Sequence, residues 1–388
     1  MINFKYSTPT KVYFGKGEIS KISDEIKKYG SKILLAYGGG SIKKNGIYNE
    51  VIKILKNNSF DYVELSNIEP NPQIETVKRG IEICRKNNVN FILAVGGGSV
   101  IDCAKAVSIG VFYNGDPWDF FMGKVVAKNA LPIGAVLTIS ATGSEANANS
   151  VISNEKTNQK LPYKTELFIP KFAVLDPVYT FSVNKYQTAA GTSDIMSHCF
   201  EQYFSAVEDT FVQDRLTEAI IKTCIEFGDT VLQEPDNYNA RANIMWASNL
   251  ALNGLLSFGK KGDWATHFIE HIVSAYFELT HGAGLAIITP HWMRYILDEN
   301  TVDKFVALGK NVWEIQGNDK FKIANKCIDK ITEFFKSQGF PEHLSEVGID
   351  LDNNLIEKIA EGVVIFGATG NIKLLKKEDV INILNAAK

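Results

Sequence analysis

Six histidines are spread through 388 residues, yet five of them fall between positions 198 and 291. Asp194-Ile195-Met196-Ser197-His198 lies in a stretch patterned for a helix. Its i, i+4 spacing puts a carboxylate and an imidazole one turn apart on one face. His267-Phe268-Ile269-Glu270-His271 repeats that spacing. His281 follows in Thr280-His281-Gly282-Ala283-Gly284, where glycines permit a break and a close backbone approach. Three imidazoles and one carboxylate suit Fe²⁺ or Zn²⁺ rather than Mg²⁺ or Ca²⁺. Cysteine, the usual ligand of structural zinc, is absent from the pattern, and Phe268 stands where a metalloprotease helix would carry its glutamate. Taken singly, each histidine reads as readily as a core residue, and Asp194 as an early-helix carboxylate favoured by the dipole. Clustering is what points to a metal. His291 and His343 have no partner at this spacing and are not assigned to it.

A second chemistry-bearing feature is Val95-Gly96-Gly97-Gly98-Ser99-Val100-Ile101-Asp102, which follows an apolar run and opens a helical pattern. Glycines let backbone N–H groups approach an anion, and a helix start adds positive partial charge, so the turn suits a phosphate. Ser99 could cap the helix or donate to that phosphate. The standard dinucleotide fingerprint would need glycine at Ile101, so the turn alone names no cofactor. An earlier turn, Gly38-Gly39-Gly40-Ser41, precedes Lys43 and Lys44. It lacks the carboxylate that usually grips the adenosine ribose of NAD, and nothing in it would repel a 2′-phosphate. The same lysines read equally well as a solvent-facing pair.

The elements that must position these residues change in character along the chain. Up to about residue 180, short runs that are apolar throughout (33–37, 91–95, 131–137, 172–175) alternate with helical patterns at 47–55 and 100–107. Such strands indicate a parallel sheet covered on both faces. Beyond Pro177 the patterns are long and helical, over 186–204, 214–227, 241–256 and 322–337. The expectation is an α/β dinucleotide-binding domain at 1–181 and an all-α domain at 182–388 that holds the metal. A hydrophobic fraction of 45% supplies a sizeable core, and a net charge of −3 without a basic stripe argues against a nucleic-acid partner. Five scattered cysteines with no C-x-x-C, no apolar leader in 1–16 and no run of membrane-spanning length suggest a cytoplasmic protein with no membrane partner.

These residues together resemble the iron-containing (group III) alcohol dehydrogenases, and within them the NADPH-dependent butanol dehydrogenases. The resemblance spans nearly the whole chain. It is carried by Gly96-Gly97-Gly98-Ser99 with Asp102 and Lys105, by 138–145, by Gly191-Thr192-Ser193-Asp194, by 262–267 and by Thr280-His281-Gly282 leading to Pro290-His291. It implies the dehydroquinate synthase-like fold of that family, with the active site in a cleft between the two domains. By position it implies that Gly97, Gly98, Ser99 and Asp102 belong to the pyrophosphate loop, and that Thr138, Ser140, Thr142 and Lys160 line the rest of the cofactor groove. Asp194, His198, His267 and His281 match the metal ligands, and His271 matches a nearby histidine that could relay a proton. Gly39 and Ser41 resemble the branch that accommodates a 2′-phosphate, which makes NADP(H) the expected cofactor beside Fe²⁺ or Zn²⁺.

The expected activity is reversible hydride transfer between short- to medium-chain aldehydes and primary alcohols, by a homodimer. Phe258 and Trp264 are candidates for an apolar substrate wall. An NAD-dependent polyol dehydrogenase of the glycerol type would favour an acidic residue at position 39. A dehydroquinate-synthase-like lyase would need more basic residues around its pocket. A non-catalytic nucleotide sensor would have no use for four spaced ligands.

Overall fold

Alternate residues of the apolar runs feed different layers, which is what makes them strands rather than helices. Leu34, Ala36, Ile92 and Ala94 enter one buried cluster, while Ile33, Leu35, Phe91 and Leu93 enter another. In this computed structural model, which describes residues 1–388, eight strands form. They are β1 (Lys11–Phe14), β2 (Lys32–Tyr37), β3 (Asp61–Leu65), β4 (Phe91–Gly96), β5 (Ile133–Leu137), β6 (Asn149–Asn154), β7 (Gln159–Lys164) and β8 (Phe172–Leu175). Six make one sheet in the order β1-β8-β5-β4-β2-β3, parallel throughout. β6 and β7 form a separate antiparallel pair.

The longer helices of the sheet region are α1 (Ile47–Asn57), α2 (Ile74–Asn87) and α3 (Gly98–Gly110). Then come α4 (Lys185–Tyr203), α5 (Phe211–Gln233), α6 (Tyr238–Leu252), α7 (Ala265–Phe277) and α8 (His281–Ile296). The last four are α9 (Val302–Trp313), α10 (Lys320–Ser337), α11 (Asn353–Val363) and α12 (Lys377–Ala387). The α/β and helical halves are therefore as the residue patterns indicate.

The two compact units do not follow a single cut in the chain. One comprises Ser7–Val183 and Pro235–Asn253; the other comprises Met1–Tyr6, Asn184–Glu234 and Gly254–Lys388. Helix α6 joins the sheet unit because Met245 enters its core and the Asn249 side-chain amide donates to the buried Glu145 carboxylate at 2.8 Å. The helical pattern at 241–256 could not reveal that choice. The helix also stops earlier, at Leu252, since Gly254 takes the left-handed region at φ 102°.

Within the sheet unit the chain reverses its direction of travel between β2 and β4. β3 pairs with one edge of β2 and β4 with the other. Both glycine turns follow these two neighbouring strands, at the point where an open parallel sheet offers a crevice to a ligand.

Candidate metal and cofactor sites

The glycines of the second turn are required by contact. A Cβ at Gly97 would come within 2.2 Å of Ile139 Cγ2, and one at Gly98 within 2.4 Å of Thr142 Oγ1. The turn after β4 is thus pressed against the segment after β5 that carries Thr138, Ser140 and Thr142, and Thr138 N donates to Gly96 O at 3.1 Å. Helix α3 begins at Gly98, so Ser99 sits in its first turn rather than capping it; Gly97 is the cap residue, with no side-chain bond to the helix.

Asp102 faces the same neighbourhood. Its Oδ2 accepts from Val151 N at 2.8 Å, and its Oδ1 accepts from the Ser144 hydroxyl. One turn on, the fully buried Lys105 donates to Ser144 Oγ at 2.8 Å, Asn147 Oδ1 at 3.0 Å and Asn149 O at 2.7 Å. Burial, only partly offset by Asp102 and Glu145, pushes the Lys105 ammonium down to about 8. Lys160, buried on β7, is close enough to lower the Asp102 carboxyl, although burial dominates and raises it. Both Asp102 oxygens are therefore spent on fixing the start of α3 to the 144–151 segment.

The first glycine turn is open. A Cβ at Gly39 or Gly40 would meet nothing within 4 Å, and Ser41 starts a short helix, Ser41–Lys44. Lys43 Nζ lies over the rings of Tyr37 and Tyr48, 5.0 and 4.7 Å from their centroids. The nearest strand-end carboxylate, Glu64, accepts from both tyrosine hydroxyls, at 2.5 and 2.6 Å.

The histidine cluster belongs to the helical unit. Asp194 and His198 lie on α4, His267 and His271 on α7, and His281 is the first residue of α8. Gly282 brings α8 against α4, since a Cβ there would lie 1.9 Å from Ala190 O. Asp263 fixes the approach to α7, accepting from the backbone N–H groups of Asn371, Ile372 and Ala265 at 2.7, 2.9 and 3.2 Å.

Asp194 Oδ1 is 3.5 Å from His198 Nδ1, 3.7 Å from His281 Nε2 and 3.9 Å from His267 Nε2. Ligand bonds of about 2.0–2.2 Å in a tetrahedron would space ligand atoms by roughly 3.3–3.6 Å, so the cluster is close to what a divalent cation needs. Asp194, His198 and His267 are almost wholly buried. His198 Nδ1 and His267 Nε2 are buried ring nitrogens with no hydrogen-bond partner, an arrangement that is costly unless something occupies it. Burial, then repulsion from His267 and His281, pushes His198 well below its ordinary range, leaving it neutral with a lone pair to give.

The tightest grouping is Asp194, His267 and His281; His198 joins it through Asp194 and through its ring, 4.8 Å from that of His267. A second triple, Glu270, His271 and His281, overlaps the first at His281. There, however, Glu270 Oε2 bonds His281 Nδ1, the nitrogen turned away from Asp194. Glu201 stands likewise behind His267, its Oε1 3.0 Å from Nδ1. Neither glutamate is marked out by residue type in the sequence. Their signal was helical phase: Glu201 is seven residues after Asp194, and Glu270 three after His267.

His271 is buried beside the cluster, with its ring 5.3 Å from that of His281. The Trp264 ring lies 5.3 Å from His267 and 6.3 Å from His198, whereas Phe258 packs on Phe4 and Tyr6. Cys199 is buried, and burial pushes its thiol well up, which makes it a poor nucleophile.

A doubly covered parallel sheet with glycine turns at its switch point, and a helical unit with a buried carboxylate–imidazole cluster, suit a class of protein that takes a nucleotide and a metal. Residues 9–177 match iron-containing alcohol dehydrogenase, and residues 188–388 match the Fe-containing alcohol dehydrogenase family, C-terminal. The chain belongs to the iron-containing alcohol dehydrogenase family. It is 54% identical to NADH-dependent butanol dehydrogenase A of Clostridium acetobutylicum, covering 99% of each chain. It is 41% identical to the NADPH-dependent aldehyde reductase YqhD of Escherichia coli, covering 96% of this chain and 97% of that one. The crystal structure of NADH-dependent butanol dehydrogenase A from Thermotoga maritima superposes with a TM-score of 0.96 at 40% identity, covering 100% of this chain and 99% of the other. The protein is therefore an alcohol dehydrogenase or aldehyde reductase of a family that uses a nicotinamide cofactor and a divalent metal. No helix is long and apolar enough to cross a membrane.

Proposed function

We propose that the chain interconverts short- to medium-chain aldehydes and primary alcohols with NADP(H), using Fe²⁺ or Zn²⁺ held by Asp194, His198, His267 and His281. The observation that carries this is the buried cluster of Asp194 Oδ1 with three imidazole nitrogens at 3.5–3.9 Å. A bound cation would polarise the substrate oxygen, and the reduced nicotinamide would carry the hydride. The protein's own share is to hold both partners and exclude water. Gly97, Gly98 and Ser99 offer the first-turn amides of α3 to the pyrophosphate. Asp102 acts through Ser144 and Val151 to keep that turn in place. Thr138, Ser140, Thr142 and Lys160 line the neighbouring groove, Trp264 supplies an apolar wall, and His271 hands on the proton that the new alcohol requires.

NADP(H) is preferred on the strength of the open, carboxylate-free turn at Gly39 and Ser41 with Lys43 and Lys44 behind it. The relatives named above divide on this point, one described as NADH-dependent at 54% identity and one as NADPH-dependent at 41%. The test is the kcat/KM ratio for the two cofactors with butanal. A ratio above about ten in favour of NADPH, reversed by Gly39→Asp, is expected, tenfold being ~1.4 kcal/mol. Equal rates or an NADH preference would remove the argument from Gly39 and Ser41. No oxidation of either cofactor by metal-loaded protein across short aldehydes would favour a nucleotide sensor instead. A homodimer in the cytoplasm completes the proposal; the five buried, unpaired cysteines suit a reducing compartment.

A further inference from the structure

Two carboxylates beside the histidine cluster are buried as deeply as any ligand, yet neither points at Asp194. Glu201 is 1% exposed and Glu270 is fully buried. Glu201, on α4, reaches across to α7: its Oε1 takes the Thr266 hydroxyl, the His267 backbone N–H at 3.0 Å and His267 Nδ1 at 3.0 Å. Glu270, on α7, reaches on to α8 and bonds His281 Nδ1 through Oε2. In each case the other ring nitrogen, Nε2, is the one that faces Asp194. One helix therefore holds the histidine of the next, twice over.

Room for this has been made. A Cβ at Gly284 would lie 2.7 Å from Glu270 Cγ, so a side chain there would push the carboxylate off His281. Glu201 also serves a helix start. Trp264, the residue before α7, has φ 66° and gives no side-chain cap, and the third amide of α7, that of His267, is satisfied by Glu201 instead.

We propose that Glu201 and Glu270 are the positioning residues of the metal centre. Each holds its histidine as the Nδ1–H tautomer, turns Nε2 toward the cation, and makes the imidazole a stronger donor through its own negative charge. With Asp194, they bring three buried carboxylates to one imidazole cluster, an oxygen and nitrogen donor set that suits a divalent cation. The proposal rests on the ligand reading given above.

The test is Zn²⁺ affinity of the full-length protein, measured by competition with a chromophoric chelator, together with the ligand-field spectrum of the Co²⁺-loaded form. Glu201→Gln and Glu270→Gln keep the size and an accepting oxygen but lose the charge. Each is expected to weaken Zn²⁺ binding by roughly 10–100-fold and to shift the Co²⁺ bands. Thr266→Val removes one partner of Glu201 without touching His267, and should leave Zn²⁺ affinity within about threefold of wild type even if the metal-free protein melts earlier. Wild-type affinity and an unchanged Co²⁺ spectrum in both glutamine variants would overturn the proposal. His281→Ala separates the two readings. If it loses the metal while the glutamine variants keep it, the ligand set stands and the orienting role alone falls. If His281→Ala itself keeps wild-type affinity, the ligand set is wrong, and the orienting role with it.

Discussion

His267 and His271 sit one turn apart on α7, have the same residue type, and are both buried, yet their surroundings differ. His267 is turned toward Asp194 and backed by Glu201, whereas His271 has its ring beside that of His281. Replacing His271 with alanine should lower turnover by about 10²-fold or more, the range of a lost acid–base group, while the purified protein keeps its metal. Metal analysis beside kcat checks this; loss of the metal from that variant would move His271 into the ligand set. Spacing alone cannot distinguish the two histidines, because i and i+4 are equivalent faces of one helix. The distinguishing partners come from another helix. The same holds for Glu201 and Glu270: a buried glutamate and a solvated one are written with the same letter, and only the packing of α4, α7 and α8 tells them apart.

At the scale of elements, the site depends on how closely helices may approach. Gly282 is the sharpest case, because the atom it avoids is backbone, Ala190 O, and cannot rotate away. Gly282→Ala should cost about 2 kcal/mol or more by forcing α8 off α4, and should release metal as His281 moves from Asp194. Chemical denaturation and metal content measure the two effects; a variant with wild-type values for both would show that the contact is relaxed. The sheet unit has its own anchor. Glu25 lies in the short helix Ile22–Ile26 and its Oε1 accepts from Lys28 at 2.7 Å, Tyr13 on β1 at 2.5 Å and Lys11 on β1 at 2.9 Å. Burial would raise this carboxyl, but the three hydrogen bonds outweigh it and bring it from 4.5 down to about 2. A carboxyl lowered by folding stabilises the fold above its unfolded value and ceases to do so as pH falls through its folded value. Glu25→Gln should therefore be less stable than wild type at neutral pH, with the gap closing between about pH 4.5 and 2. A gap that is independent of pH would mean that Glu25 acts by shape alone.

Over the whole molecule, what was legible in the residues was whatever depends on local pattern. The strands that continue into glycine turns were visible because a run such as 91–95, apolar at every position, can only be buried on both faces, and Gly96-Gly97-Gly98 then has to end it. The long helices of the second half were visible by their period. The β6–β7 pair was not, because Gln159, Lys160 and Lys164 make it look like a polar loop, and its partner strand is set by tertiary pairing. The attachment of α6 and of residues 1–6 to their units was hidden for a related reason: periodicity says that a face is apolar, not which surface will cover it. The glycine turn after β4 and the four clustered residues stood out by type and spacing, but the carboxylates behind the histidines emerge only when three helices are brought together.

In the proposed mechanism, aldehyde reduction depends on a cation held by Asp194, His198, His267 and His281. The most direct measurement is the rate of nicotinamide oxidation with butanal by the protein as purified, after stripping with a chelator, and after Zn²⁺ or Fe²⁺ is returned. The rate should fall by at least about 100-fold on stripping and recover when one of the two ions is restored, as expected for a Lewis-acid contribution of several kcal/mol. A stripped protein, verified free of metal, that still reduces butanal at its original rate would show that the reaction needs no cation at this cluster.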